Sequence, residues 1–584
     1  MGIRSRSPCC AGSGVTTSHS ASPADADSGS AAAAAAIEVL GELRMRRRER
    51  RLGRLEWFDI AYKAYLVVLF GGGAVLWLTG LIGDEPVTTD LADVAADGQA
   101  LVSLVAAVAV FIGLRSGARG GPLALEGADV AHVLLAPVPR RSVLRLPLVQ
   151  RLRTAVLAGL SLGAISGRLA AQRLPGSAWS WAASCAAAGA VIAMLWCGAA
   201  LVAHSRPRWI VGGIGALVIA WHAADAVGVV SAPLRGVGAI AMSAMAGTEG
   251  VSVDSAWIAV AIAAVLVLMA AGASMLERMS LEALARRSAL VGQLRFAATM
   301  QDLRTVVLLR RQLDEEHPRR VPWIRFASGA GTASVSIRRA VWRRDISGLL
   351  RMPAARLGRM VVLTVVWGIG IALTMRGTTP AVVAAGLAGF VLGMEAIEPL
   401  SQEVDHADRC DLLPVERGDL MLHHLAAPAA MLVPFAVVGA LVGALASGDA
   451  SGLVVPLLIV AVPGVWAAAA GAVVSAVRDA PDPVATVRGP TSIAMPEVTG
   501  LGTALRAVLP PAVSTIGVVM VLFIRSAAES GASVVGASLR AAVGALVLVF
   551  LVSQWVRLRD RAHRSTAAFM AEGRAASRLG SGGV

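Results

Sequence analysis

About twelve apolar stretches, each close to twenty residues long, alternate with polar segments along this chain of 584 residues. A helix of about 20 residues, rising about 1.5 Å per residue, crosses the roughly 30 Å hydrocarbon core of a lipid bilayer. The pattern therefore predicts an all-α polytopic membrane protein with about 12 transmembrane helices. The predicted spans, six in each half, are residues 64–83, 98–114, 148–170, 181–203, 208–230 and 256–276, then 356–375, 381–399, 421–445, 453–477, 507–525 and 534–556.

The composition excludes a soluble globular protein of this size. Apolar residues make up 56% of the chain and charged residues only 16%, which is too little polar surface for a domain in water. The formal net charge of +14 would point to nucleic acid in a soluble protein. Here the arginines concentrate in alternate loops, where they face anionic headgroups. Membrane lipids are therefore expected partners, and nucleic acid is not.

The distribution of charge predicts the orientation in the membrane. The loop 84–97 carries five Asp and Glu residues and neither Arg nor Lys, whereas the segment 278–359 and residues 557–564 are rich in arginine. Because loops rich in Lys and Arg stay in the cytoplasm, both termini are predicted to be cytoplasmic, in the plasma (inner) membrane. The exceptions, which fall on the opposite side, are Arg168, Arg173 and Arg235.

The chain divides into five predicted regions. Residues 1–36 form a disordered cytoplasmic tail of Ser, Ala and Gly, and residues 37–276 form a first membrane half that begins with a basic amphipathic elbow. Residues 277–336 form a cytoplasmic helical linker, which is too small for an independent catalytic domain. Residues 337–560 form a second membrane half with its own elbow, and residues 561–584 form a cytoplasmic tail.

Two short segments indicate an internal duplication. Each lies just before the third span of its half and follows a partly acidic stretch, which in the second half includes Glu403. The matching residues are Leu134, Leu135, Pro137 and Arg140 in the first half, and Leu412, Leu413, Pro414 and Arg417 in the second. A six-span unit begins and ends on one side, so the halves are predicted to be parallel repeats about an axis along the membrane normal. Because the segments are short, a chance match is the alternative.

Three further segments carry a resemblance to a known family. They are the basic elbow helix at Ala340–Leu350, the loop at Glu395–Leu420 and the equivalent loop of the first half at Glu126–Leu144. Together with the layout of residues 37–560, they resemble the type-2 class of ATP-binding-cassette exporter permeases. The resemblance implies a permease of two six-span units whose loops between the second and third spans dock on an ATPase. Long duplicated chains of this kind also occur among actinobacterial membrane proteins.

The single lysine of the chain, Lys63, bears on how such a transporter is driven. An ATP-binding P-loop needs a glycine-rich turn and a lysine that reaches the terminal phosphates, and Lys63 has no such turn beside it. The chain is therefore predicted not to be an enzyme and to hold no cofactor. A permease of this kind needs separate ATPase subunits as partners.

Two pairs of ionisable residues fall within predicted spans. Glu395 and Glu398 share a helix face at the end of the eighth span, and His222 and Asp225 have the same spacing in the fifth. An ionisable group inside a membrane marks a functional site by default. For the glutamates the alternative is an interface exposed to water. The second pair either lines a polar path or is a structural pair near the outer interface.

Glu403 belongs to a loop that is predicted to be solvated. The loop also contains Asp405, His406, Asp408, Cys410 and Asp411. These residues mix hard and soft ligands without the spacing of a metal site, so no metal is expected. The chain carries neither a Gly-x-Ser-x-Gly nor a His-Glu-x-x-His motif.

Other functions stay open beside the ATP-driven permease. An ion-coupled secondary transporter places ionisable residues or broken helices near the midplane, and few such residues occur here. A membrane enzyme acting on lipid-linked substrates needs large outer loops with clustered acidic residues or His, for which the loops 84–97 and 231–255 are unsuited. A scaffold without transport activity is the remaining alternative.

Overall fold

The computed structural model of the chain describes most of both predicted halves. The described residues are 90–123, 125, 129–134, 139–204, 206–226, 228–248, 254–299, 309, 318–324, 336–405, 414–448, 450–478 and 501–581, with a few isolated positions before residue 81. The predicted first elbow and the first span, 64–83, lie almost wholly outside these residues.

Helices account for nearly all of the described first half and the start of the linker. They are α1 (Leu91–Gly117), α2 (Arg140–Ala170), α3 (Ala178–Ala203), α4 (Arg208–Ala226), α5 (Arg235–Met242), α6 (Ser255–Ser274) and α7 (Leu281–Thr299). Side chains cap the N-termini of several of these helices. Asp90 accepts a hydrogen bond from the backbone N–H of Ala92, and Asp254 accepts one from Ala256, which satisfies donors that a helix start leaves without an intrahelical acceptor.

The second half is also helical throughout its described part. Its helices are α8 (Ile337–Leu349), α9 (Ala354–Met375), α10 (Ala381–Ala396), α11 (Glu398–Asp405), α12 (Arg417–His423), α13 (Ala426–Ala446), α14 (Ala450–Arg478), α15 (Leu501–Val519), α16 (Val521–Glu529) and α17 (Val534–Ser581). The predicted C-terminal tail therefore begins as a continuation of α17, whose 48 residues run well past the last predicted span.

These helices confirm a multi-pass membrane protein. Among the described residues, 10 helices are long and apolar enough to cross a membrane, and the bent pair α10–α11 raises the count to 11 if it is one span. Each predicted span from residue 98 onward coincides with one of them. A total of twelve spans stays a prediction, because the first predicted span is not described.

Each half has its own apolar core. In the first half α1, α3, α5 and α6 bury Trp181, Leu195 and Met245 among alanines. In the second half α9, α10, α13 and α14 bury Trp367 and Met360. Among the described helices, every extensively packed pair lies within one half. In the part of the chain that the structure describes, the two halves are therefore separate packing units.

A glycine seam joins α2 to α3. Gly159, Gly163 and Gly167 are spaced four residues apart on α2 and lie against the backbone of α3. A Cβ atom on Gly163 would lie 2.1 Å from the carbonyl oxygen of Cys185, and one on Gly167 would lie 2.1 Å from that of Trp181. Small residues at this spacing allow two membrane helices to approach closely.

The linker is attached to both halves. Its helix α7 packs on the first half, where the Ser288 hydroxyl accepts a hydrogen bond from the backbone N–H of Leu125 at 2.9 Å. Its end packs on α8, because the backbone N–H of Trp323 donates to the Leu350 carbonyl at 2.9 Å. We call the side of the molecule that carries α7 and α8 the basic face.

Candidate functional site

A set of mostly buried charges lies at the basic face of the second half, where α8, α9, α10, α11 and the turn between α12 and α13 meet. Arg344 is the exposed member of the set. We call this set the basic-face network. Its members are Arg344, Asp345, Arg356, Arg359, Glu395, Glu398, Glu403 and His424.

The network forms around a break in the eighth predicted span. Helix α10 ends at Ala396 and α11 begins at Glu398, with a bend of 63° between them. Pro399 fits this break because proline is tolerated in the first turn of a helix. The prediction that Glu395 and Glu398 share one continuous helix face is therefore wrong, since each belongs to a different helix.

Glu395 is buried, and two arginines of α9 neutralise it. Arg359 makes a bidentate contact, its Nε and Nη2 each 3.1 Å from a carboxylate oxygen of Glu395. The Nε of Arg356 lies 3.2 Å from the same carboxylate. The alternative of a water-exposed interface is thus wrong for Glu395, which is 4% exposed. Its burial is tolerable because the opposite charges are adjacent.

Glu398 completes the first part of the network from the start of α11. Its carboxylate is paired with Arg356 and accepts a hydrogen bond from the side-chain amide of Gln402 at 3.1 Å. Arg356 also donates to the backbone carbonyl of Glu395. One buried guanidinium of α9 therefore holds both sides of the α10–α11 break.

A second part of the network joins the elbow helix α8 to His424, which lies in the turn between α12 and α13. The ring nitrogen Nδ1 of His424 lies 2.6 Å from the Asp345 carboxylate, and its Nε2 lies 3.7 Å from that of Glu403. Arg344 approaches Glu403 at 3.5 Å. Glu403 lies on α11 and is only 2% exposed. Its prediction as part of a solvated loop is therefore wrong.

The network connects several helices of the second half. Four helices converge through side chains whose charges alternate, and α11 is joined to α8 through Arg344 and to α9 through Arg356. A cleft of about 350 Å³ opens beside the network, lined in part by Pro318, Arg351 and Glu398. The described residues include no group of His, Cys, Asp and Glu arranged to hold a metal ion.

The two repeated segments, 134–140 and 412–417, lie in the loops that are predicted to dock on an ATPase, and we call them the docking segments. They are only partly described. Leu134 is buried in the first half beside Leu144, and Arg140 is the exposed first residue of α2. Pro414 is exposed, and Arg417 is the first residue of α12. The other predicted members, Leu135, Pro137, Leu412 and Leu413, lie outside the described residues. Their match between the halves stays a prediction.

His222 and Asp225 do not bond to each other. The Nδ1 of His222 lies 2.7 Å from the Val218 carbonyl, and its Nε2 accepts a hydrogen bond from the backbone N–H of Leu234 at 3.3 Å. Asp225 accepts hydrogen bonds from Ser103 of α1 at 3.4 Å and from Arg235 of α5 at 3.3 Å. Both residues therefore anchor the short buried helix α5, which favours the structural pair over a polar path.

Two arginines that are exceptions to the charge rule have partners on the face opposite the basic face. Asp225 offsets the charge of Arg235, as described above. Arg173 donates a hydrogen bond at 2.8 Å to the backbone carbonyl of Arg376. The second contact joins the loop after α2 to the loop after α9, and thus connects the two halves.

The described helices define a multi-pass helical membrane protein with two cores and a buried ion network at one end. No protein-family model, curated protein or solved structure matches the chain. What this chain does is therefore inferred from its helix packing and its charges.

Proposed function

We propose that this chain is the permease subunit of an ATP-driven transporter whose motor is a separate polypeptide. In this proposal the chain crosses the plasma membrane as two parallel six-span repeats, with the basic face in the cytoplasm. The ATPase subunits dock on that face, at the loops between the second and third spans of each half.

The observation that carries the proposal is a partial equivalence in the packing of the two halves. Four contacts between spans recur in both halves, whereas the fifth span packs extensively on the fourth and sixth only in the second half. The spans of each half are numbered from one to six. In both halves the second span packs on the fourth and on the fifth. The helix pairs are α1–α3 and α1–α4 in the first half, and α10–α14 and α10–α15 in the second. The third packs on the fourth, and the fourth on the sixth, in both halves as well. This agreement supports a duplicated unit, and parallel duplicated units are a common architecture of transporters.

The separation of the two cores also favours transport. Because the extensive packing of the described helices stays within each half, the halves can move relative to each other without breaking either core. Rocking of one packed bundle against another is how alternating access is produced in many transporters. The Arg173 contact would connect the halves at the opposite face.

The basic-face network supplies a route from a docked motor to the membrane helices. Helix α11 carries Glu398 and Glu403 and precedes the proposed docking segment in the sequence. Arg356 of α9 contacts Glu395 and Glu398, one on each side of the bend between α10 and α11. In this proposal a force applied to α11 reaches α8, α9 and the turn before α13 through charged contacts.

Co-purification tests the proposal. The tagged chain, extracted from its own host in mild detergent, is expected to recover a polypeptide with a P-loop, and the complex to hydrolyse ATP. Reversing charges at the first docking segment, with Arg140→Glu and Arg141→Glu, is expected to reduce the recovered ATPase at least about tenfold, since like charges across an interface cost several kcal/mol. The matched control reverses two exposed arginines on α8, with Arg338→Glu and Arg339→Glu, and is expected to retain it.

Two outcomes contradict the proposal. One is a chain that purifies intact without any ATPase and whose vesicles show no ATP-dependent accumulation of any solute. The other is solute uptake in sealed vesicles that follows a proton or sodium gradient without ATP, which would establish the ion-coupled alternative.

A further inference from the structure

Helix α2 carries two arginines inside the stretch with which it crosses the membrane. Arg151 and Arg153 lie well within this 31-residue helix and within the third predicted span, 148–170. The helix contains neither Asp nor Glu. It is also the least enclosed of the described spans, since only 11% of its most apolar stretch is buried in the protein. The two guanidinium groups therefore belong to a helix that mainly faces lipid.

The contacts between α2 and α3 show how deep these arginines lie. The two helices run antiparallel, with Gly163 of the glycine seam against Cys185. Closer to the basic face, the guanidinium group of Arg151 lies over the ring of Trp196, 5.1 Å from its centroid. Helix α3 continues for about 10 Å beyond Trp196 to its end at Ala203, and it carries no charged residue. The arginines of α2 are therefore about 10 Å inside the end of an uncharged neighbour.

Arg153 points away from α3. Arg151 continues the four-residue row of the glycine seam, which accounts for its contact with Trp196. Two residues later, the direction of a helical side chain has turned by about 200°. Arg153 therefore shares the outer face of α2 with Gln150 and Leu157, at spacings of three and four residues, and all three are exposed. We call Gln150, Arg151 and Arg153 the α2 polar strip.

The charge of the α2 polar strip is not compensated within the part of the chain that the structure describes. No carboxylate there pairs with Arg151 or Arg153. When the two docking segments are aligned at Arg140 and Arg417, the position equivalent to Arg153 is Ala430, which is also exposed. This face is thus directed outward in both halves, and only the first half places charge on it.

A phospholipid headgroup fits this combination of charge and depth. Arg153 is only about 22 Å along the helix from Arg168, less than the roughly 30 Å of a hydrocarbon core. A short apolar stretch thins the bilayer locally, which brings headgroups to a deeper level. A guanidinium group binds phosphate oxygens through two parallel hydrogen bonds, and the Gln150 amide offers further N–H donors. The exposed Leu146 and Leu157 provide apolar surface for acyl chains.

We propose that the α2 polar strip binds an anionic phospholipid from the leaflet at the basic face. Arg153 and Gln150 contact the phosphate, and Arg151 adds positive charge from the neighbouring edge of the helix. The acyl chains lie along Leu146 and Leu157. A zwitterionic lipid carries its own cation, so the two arginines select an anionic headgroup. The site concerns the lipid around the first half and does not depend on ATP-driven transport.

Titration of phosphatidylglycerol into phosphatidylcholine nanodiscs that hold the full chain tests the proposal. Native mass spectrometry counts the bound phosphatidylglycerol. The double variant Arg151→Gln with Arg153→Gln is expected to weaken its binding at least about tenfold, because charge-assisted hydrogen bonds to the phosphate are lost. The matched control, Arg338→Gln with Arg339→Gln, removes the same charge from exposed positions on α8 and is expected to stay within about twofold of the wild type.

A nitroxide label at position 157 identifies what covers the strip. The native cysteines are replaced, and Leu157→Cys places the label one turn from Arg153. Oxygen, which concentrates in lipid, is expected to relax the label more strongly than a water-soluble nickel chelate. A label hidden from both reagents would mean that another part of the chain covers this face. A label reached mainly by the chelate would indicate a water-filled path, and either result overturns the proposal.

The binding data give the remaining decisions. Selective loss of phosphatidylglycerol in the double variant, together with a lipid-exposed label, establishes the site. If the double variant does not fold, Arg153→Gln alone replaces it and is expected to weaken binding several-fold. Unchanged binding in the strip variant, equal losses in the control, or a wild type that binds phosphatidylglycerol no better than phosphatidylcholine overturns the proposal.

Discussion

Replacing Glu395 by leucine is expected to lower the thermal midpoint of the purified protein by roughly 10 °C. The substitution leaves the guanidinium groups of Arg356 and Arg359 close together without their shared carboxylate. Removing one partner of a buried ion pair costs about 3–5 kcal/mol, because the remaining charge stays buried without compensation. In a packing unit of this size, each kcal/mol shifts the midpoint by about 2–4 °C. Tryptophan fluorescence in detergent measures the change.

Two companion variants make this result specific to the buried network. Adding Arg356→Met and Arg359→Met to Glu395→Leu removes all three charges and leaves only Glu398, which is partly exposed, without its arginine. This variant is expected to recover at least half of the lost stability. The control is Glu416→Gln, whose partner Arg561 lies on the surface and has its guanidinium pKa raised by the Glu416 hydrogen bond. That variant is expected to change the midpoint little, since exposed pairs are screened. A triple variant no more stable than Glu395→Leu would contradict the assignment.

Gly163→Val is expected to separate α2 from α3 and to destabilise the first half by at least about 3 kcal/mol. A Cβ atom at this position would lie 2.1 Å from the Cys185 carbonyl oxygen, which belongs to a helix backbone and cannot move aside alone. Overpacking of this kind costs about 1–3 kcal/mol even where side chains can yield. Helix α2 has exposed leucines along its other face, so its attachment depends strongly on the glycine seam. The thermal midpoint and the yield of folded protein report the effect.

The matched control for the seam is Gly213→Val on α4. A Cβ atom there meets no atom within 4 Å, so the added side chain enters open space. Both positions lie in apolar helices, and both changes introduce the same β-branched residue. The control is therefore expected to retain the midpoint within a few degrees. Equal losses in the two variants would show that valine itself, rather than the contact with α3, causes the effect.

The membrane helices were predictable because their signal is long and continuous. A stretch such as 453–477 can hide its backbone polar groups in lipid only as a helix, so hydropathy alone predicts α14. The glycine seam was less accessible. The spacing of Gly159, Gly163 and Gly167 is visible in the sequence, but glycines are frequent in all spans. Only the structure identifies α3 as the helix they contact.

The ion pairs of the basic-face network were not predicted, because each joins residues that are distant in the sequence. Arg356 and Arg359 begin one span with a three-residue spacing, and Glu395 and Glu398 end the next span with the same spacing. Two consecutive antiparallel membrane helices place the start of the first beside the end of the second. The opposite charges at these two ends were therefore the sequence feature that could have predicted the network. The break at Ile397 carried no comparable signal, since Pro399 alone does not fix where a helix ends.

The role of His222 and Asp225 could not be predicted, because it depends on contacts with residues elsewhere in the chain. His222 and Asp225 were predicted from the cost of ionisable groups in a membrane, and both are buried. Their partners Leu234 and Arg235 lie at the start of α5, a short helix in a stretch predicted only as a loop. Hydropathy does not distinguish such a buried short helix from a loop, so the anchoring role appears only in the folded chain.

Single-cysteine labelling tests the central claim that the two halves cross the membrane in the same orientation. The five native cysteines are first replaced. Cysteine is then introduced at equivalent exposed positions in the two halves. Ser177 and Ser451 lie between the third and fourth predicted spans, on the face opposite the basic face. Arg140 and Pro414 lie between the second and third, on the basic face. A membrane-impermeant maleimide is applied to sealed right-side-out vesicles, before and after permeabilisation.

Our account predicts that positions 177 and 451 react in sealed vesicles, and that positions 140 and 414 react only after permeabilisation. The halves would then be parallel, with the basic face in the cytoplasm. Reaction of 177 and 414 from one side, with 140 and 451 from the other, would mean that the halves are inverted and would contradict the account.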